Sequence, residues 1–128
     1  MKANTTIKTV SDLHDLYDYF NKLYFDNKLP NHFPIRFFIP RSNTATWGFV
    51  THVSTRYGHP NPRHDVTDLQ INRDLIDHQD ILKRTMLHEM VHVMQAEVRN
   101  ENPTHRKFFK AMIRHLNVAT KERYGIIT

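Results

Sequence analysis

Apolar side chains recur at steps of three and four through Leu13, Leu16, Tyr17, Phe20, Leu23 and Tyr24, the spacing that lays one stripe along an α-helix. Ser11 is the expected N-cap, because its hydroxyl can accept from an unpaired amide of the first turn. Asn27 and Pro30 mark the end of the helix, and residues 1–10 read as a leader. Pro34 to Ile39 reads as a short buried strand between prolines, and Thr44 to Val53, rich in Thr, Val and aromatics around Gly48, as a second, with a hairpin between them possible in principle. Gly58, Pro60 and Pro62 interrupt both helix and ladder bonding, so Ser54 to Asp68 is expected as a loop. Asp68 to Asn72 (DLQIN) alternates polar and apolar residues, as an edge-like third strand would.

From Ile81 the pattern turns helical. Leu82, Thr85, Met86, Leu87, Met90, Val91, Val93 and Met94 make this helix so apolar that it should cross the core rather than lie on the surface. The segment Arg99 to Thr104 breaks it. Thr104 is then the expected N-cap of a last helix from His105 to about Leu116, with Phe108, Phe109, Met112, Ile113 and Leu116 buried and Arg106, Lys107, Lys110 and Arg114 on a basic face. No repeat or linker divides the chain, so residues 1–128 are read as one domain.

Hydrophobic residues at 39% and charged residues at 24% suit a folded domain rather than a disordered one. The formal charge of +5 and a pI near 9.6 lean towards a polyanionic partner such as nucleic acid. Cysteine is absent, which excludes disulfide scaffolds, thiol catalysis and Cys-ligated zinc ribbons. Neither a signal peptide nor a membrane-length apolar run is visible, and the expectation is an intracellular protein, cytoplasmic or associated with the nucleoid or nucleus.

The sharpest chemical signal is His88-Glu89-Met90-Val91-His92, an HExxH string inside the apolar helix. Two imidazoles four residues apart project from one helical face, close enough to share one Zn²⁺. Glu89, turned about 100° from His88, can reach a water at the metal without ligating it, as a general base must. Composition alone would produce about 0.02 such strings in this chain, before a helix is required.

A catalytic zinc needs a third protein ligand. The spacing HExxHxxGxxH fails, because Gln95 and Val98 stand where Gly and His would be. His105, thirteen residues after His92, is favoured, since a tight antiparallel return would bring it back beside the first two. Glu97 and Glu101 are the rival ligands.

The order of these parts resembles the SprT-like family, whose better-known members include a DNA-dependent protease acting on DNA–protein crosslinks. The resemblance is carried by LYFDNKLP after the aromatic helix, by the strands with TWGF and DLQIN, by LHEMVH and by THRKFFKAM. It implies an α+β, zincin-like fold, with helices packed on a sheet of about three strands. It also implies His88, His92 and His105 as zinc ligands, Glu89 as catalytic acid/base, and peptide hydrolysis. Phe108 is placed where the family's Phe follows the ligand histidine. Thr104 and Arg106 replace the glycines that flank that histidine in other members, and the cysteine zinc ribbon of many bacterial relatives is missing.

Arg41, Trp47, Arg56, Tyr57 and Arg63 mix phosphate-binding charge with rings on which bases can stack, and are the candidate nucleic-acid or substrate contacts. Such stacking would bind single strands at least as well as duplex. His52, His59 and His64 crowd the same region and admit a second metal site, a transition-state donor or plain surface. The leading reading is a monomeric zinc metallopeptidase acting on proteins bound or crosslinked to DNA, in DNA repair. The alternatives are a non-proteolytic nucleic-acid-binding module with structural zinc and a peptidase indifferent to nucleic acid.

Overall fold

Thr9, not Ser11, caps the first helix, α1 (Val10–Tyr24). Its hydroxyl accepts from the Asp12 amide at 3.0 Å while the Asp12 carboxylate accepts from the Thr9 amide at 3.0 Å. Only a residue with an acidic partner three positions on can make this reciprocal pair. Leu13, Leu16, Tyr17 and Phe20 are buried as their spacing requires, but Leu23 is 48% exposed. Asn21 takes a buried place instead, bonding both backbone groups of Leu29 and so closing the turn that follows. Asp26 and Asn27 make that turn with φ of 53° and 56°, the left-handed region that these two residue types tolerate best after glycine.

The computed structural model describes residues 1–41, 45–55 and 63–128. After α1 come β1 (Ile35–Phe38), β2 (Gly48–Ser54), β3 (His64–Asn72), a 3₁₀ turn (Arg73–Asp77), α2 (Gln79–Val93), a π turn (Met94–Val98) and α3 (Lys107–Tyr124). The architecture is α+β, with three helices on a mixed three-stranded sheet of order β1-β3-β2.

The sheet corrects three expectations. The first two strands do not form a hairpin: β1 runs parallel to β3 and β2 antiparallel to it. DLQIN is therefore the central strand rather than an edge. Asp68, Leu69, Ile71 and Asn72 are all buried, so β3 is covered on both faces as well as paired along both edges. The ladder also continues to the pairs Val53↔Asp65 and Ser54↔His64, which shortens the connection expected over residues 54–68. Its breakers Gly58, Pro60 and Pro62 lie outside the described residues, as does Thr44.

Residues 1–10 pack onto the domain. Ile7 is 0% exposed and exchanges two hydrogen bonds with the Gln79 side chain, at 2.7 and 2.9 Å. The Ala3 carbonyl accepts from Lys83 Nζ and from the Tyr124 hydroxyl, each at 3.2 Å. The last helix starts later and runs further than expected, from Lys107 with Arg106 as N-cap to Tyr124. Ile127 then folds back, buried, and its backbone N–H and C=O bond the Asn117 side chain at 2.8 and 3.1 Å. Among the described residues no helix is long and apolar enough to cross a membrane.

Candidate metal centre

α2 crosses behind the sheet with His88, Glu89 and His92 turned towards β2. At Met94 the helix widens into the π turn, a local distortion often found at functional sites. The chain then returns through residues 99–106 and brings His105 back to α2. The ring nitrogens of His88, His92 and His105 lie within 4.8 Å of one another. His105 Nε2 stands 3.1 Å from His92 Nε2 and 3.2 Å from His88 Nε2. Ligand nitrogens about 2.0–2.1 Å from a tetrahedral metal ion are about 3.3 Å apart, so these separations suit one shared ion.

Proton placement gives an independent test. His88 Nδ1 lies 3.2 Å from the Thr128 carbonyl, and His92 Nδ1 lies 2.8 Å from Gln95 Oε1. Gln95 Nε2 donates to the Thr104 carbonyl at 3.0 Å, which orients the amide with its oxygen towards His92. Both Nδ1 atoms face acceptors and must carry the proton, so Nε2 of each neutral ring presents a bare lone pair to the centre. His105 meets both neighbours through the same atom, Nε2, which holds at most one proton and cannot donate to both. A cation among the three nitrogens resolves the arrangement, and the residues fit a metal ion.

Burial, reinforced by the neighbouring imidazoles, depresses the His88 pKa to about 4; burial likewise lowers that of His92. Both rings are thus held neutral, the form that binds a metal. Burial pushes the Glu89 carboxyl up to about 8. Its Oε2 lies 3.9 Å from His88 Nε2, and no hydrogen bond ties the carboxylate among the described residues. A dication beside it would draw the pKa back down and keep it ionised.

Phe109 packs against all three rings, with centroids 4.8 Å from His88, 4.8 Å from His92 and 4.7 Å from His105, and it stacks on His92 at 15°. The place under the ligand histidine therefore belongs to Phe109 rather than Phe108, which is half-buried beneath the Arg99 guanidinium. The helix begins at Lys107, two residues after His105, and its first turn carries the Phe109 ring against the three imidazoles. The rival carboxylates are engaged elsewhere. Glu97 accepts from the Val66 amide at 2.9 Å and pairs with His32 at 2.7 Å, while Glu101 accepts from Arg99 at 3.0 Å.

Two clefts open on this centre. One, of about 280 Å³, is lined by Gly48, Phe49, Val50, His52, Pro103, Glu89 and the three histidines. The other, of about 210 Å³, is lined by Ala45, Trp47, Gly48, Arg84, Thr85, His88, Glu89, Ile127 and Thr128. Gly48 lets β2 come this close: a Cβ there would stand 2.8 Å from Thr85 Cγ2 and 3.3 Å from Glu89 Cγ. Trp47 is 46% exposed at the second cleft. Arg41 is exposed, and Arg63 is exposed with its guanidinium 3.5 Å from Asp65; neither lines these two clefts. Arg56, Tyr57 and His59 lie outside the described residues.

Gln95, Phe109 and Gly48 escaped functional notice in the sequence, although each left a trace. Gln95 is a polar residue at the end of an apolar run, Phe109 lies four residues beyond His105, and Gly48 interrupts a strand, where a close backbone approach is a common reason.

No curated protein sequence and no solved structure matches the chain. The model of the SprT-like family does, over residues 13–126, a span that holds the site helix, the three converging histidines and the strand that faces them. The chain belongs to the SprT-like family.

Proposed function

We propose that this protein is a zinc metallopeptidase, with His88, His92 and His105 holding the ion and Glu89 as general base. The observation that carries the reading is the convergence of three imidazoles beside a buried carboxylate that no hydrogen bond restrains among the described residues. A three-nitrogen set suits Zn²⁺ and leaves a coordination position open; a zinc ion there would lower the pKa of water and polarise a carbonyl. Glu89 then accepts a proton from the attacking water and passes it to the departing amine. A purely structural site has no use for that carboxylate. β2 supports a peptide substrate: it is an edge of the sheet, bonded to β3 on one side, and Gly48, Phe49 and Val50 border the cleft. An extended chain can add to such an edge.

The substrates proposed are proteins bound or crosslinked to DNA, in the setting of DNA repair. The net charge of +5, the exposed Arg106 at the N-cap of α3, the exposed Lys107, Lys110 and Arg114 on it and the exposed Trp47 beside the site support this. DNA affinity should fall steeply with salt, because phosphate contacts release counterions. Single strands should bind at least as well as duplex if Trp47 stacks on bases. Binding indifferent to salt would remove DNA from the reading.

The test of the chemistry is Glu89→Gln. Zinc content should be unchanged, since Glu89 is not a ligand, while cleavage of a DNA-bound protein should fall at least about 10²-fold. A fully zinc-loaded wild type that cleaves neither peptides, unfolded proteins nor DNA-bound proteins would favour the structural-zinc module instead.

A further inference from the structure

His52 lines the same cleft as His88, His92 and His105, but from β2 and outside that trio of converging nitrogens. Strand alternation puts it on the same face as Gly48, the residue that abuts Glu89. The register of β2 against β3 slips at this point: Thr51 pairs with Asp68 and His52 with Val66, so Thr67 is an extra residue in β3. Such bulges increase the local twist and re-aim side chains at sheet edges beside active sites.

The ring's hydrogen bonding is incomplete. His52 Nδ1 is buried with no partner among the described residues, and the same is true of His64 Nδ1 on the adjoining strand, whose ring lies 5.6 Å away. A buried polar atom without a partner costs about 1–3 kcal/mol, so a purely structural histidine is usually bonded. Burial and the neighbouring His64 both lower the His52 pKa, which keeps the ring neutral at physiological pH. A neutral imidazole has one proton. On Nδ1 it would be a buried donor without an acceptor; on Nε2 it can serve a group in the cleft and leaves at Nδ1 only a bare lone pair, the lesser cost.

Resting on the metallopeptidase reading, we propose that His52 is a further catalytic residue, donating a hydrogen bond from Nε2–H to the substrate carbonyl oxygen as negative charge builds there. No covalent bond forms or breaks at His52. The proton moves through Glu89, and His52 supplies a preorganised donor opposite the metal, of the kind that stabilises a tetrahedral oxyanion.

The experiment uses the zinc-loaded chain and a substrate it cleaves, with kcat, KM, zinc content and the affinity of a phosphinic peptide, a tetrahedral mimic, measured for wild type, Glu89→Gln, His52→Ala, His52→Phe and His52→Gln. His52→Ala and His52→Phe should retain zinc, keep KM within a few-fold and lose about 10²-fold or more in kcat, the usual effect of removing one such donor. Affinity for the phosphinic peptide should fall with kcat, and His52→Gln, which keeps an N–H, should recover part of both. In wild-type protein the His52 ¹⁵Nε2 resonance should shift when the phosphinic peptide binds. If His52→Phe retains wild-type kcat and phosphinic affinity in the assay where Glu89→Gln is inactive, His52 has no such role and the peptidase reading stands. If zinc-loaded wild type hydrolyses nothing and binds no phosphinic peptide, both fall together.

Discussion

Gln95 supports the centre from outside the three histidines. It is 1% exposed, and its amide joins the His92 ring to the Thr104 carbonyl, next to His105. One side chain thus sets the tautomer of one ligand and tethers the loop that carries another. Gln95→Leu, similar in size, should lower zinc affinity about 10–100-fold, the usual effect of losing such a partner. Chelator competition measures this; an unchanged affinity would reduce Gln95 to packing. Glu89 offers a test through stability. In the metal-free protein its pKa rises from 4.5 to about 8. A raised folded-state pKa gives stability that is full below 4.5 and lost as pH climbs through 8. Metal-free Glu89→Gln should therefore match wild type near pH 4 and melt progressively higher than it towards pH 8 and above. His88, depressed from 6.5 to about 4, works in the opposite sense: its contribution is present above 6.5 and lost as pH falls through 4 in both proteins, so it cancels in the comparison.

At the scale of elements, the site depends on how closely β2 approaches α2. Gly48→Ala would place a methyl 2.8 Å from Thr85 Cγ2 and 3.1 Å from the Gln70 carbonyl. Thr85 is buried in a helix and its β-branched side chain has little freedom to turn away. The strand must shift, at a cost of about 1–3 kcal/mol. Activity should fall further than zinc affinity does, because the edge proposed to take the substrate moves while the histidines on α2 and before α3 stay. Equal losses, seen by comparing kcat/KM with zinc Kd, would mean the whole centre had been distorted.

For the whole molecule, an ion held by His88, His92 and His105 would join parts distant in the chain, since these residues come from α2 and from the segment entering α3. Zinc at a hundredfold excess over its Kd should add about 2.7 kcal/mol to stability, raising Tm by on the order of 10 °C. Calorimetry with and without chelator tests this, and an unchanged Tm would argue against a metal site in the folded state. The N-terminal segment is a second long-range tie. Ile7→Ala should cost about 2–5 kcal/mol, as truncations in a closed core do, although Ile7 lies outside the metal centre. A loss under about 0.5 kcal/mol in denaturant unfolding would show that residues 1–8 contribute little.

The sequence by itself determined what depends on short-range spacing. HExxH on a strongly apolar helix put two imidazoles on one face with a carboxylate beside them, because one helical turn is a fixed geometry. The stripe of α1 and the apolar character of α2 were legible for the same reason. The tertiary structure decided what depends on pairing over distance. DLQIN is the central strand because β1 pairs along one side of it and β2 along the other, and alternation within five residues does not record how many neighbours a strand has. Ser11 lost the cap to Thr9 through an aspartate three residues on, a local signal that was there to be read. The place of Phe109 under the ligands, the hold of Gln95 on two of them and the packing of Ile7 against Gln79 each join residues through the folding of the chain as a whole. No periodicity announces such contacts, since burial is a property of the assembled core rather than of the segment that supplies the side chain.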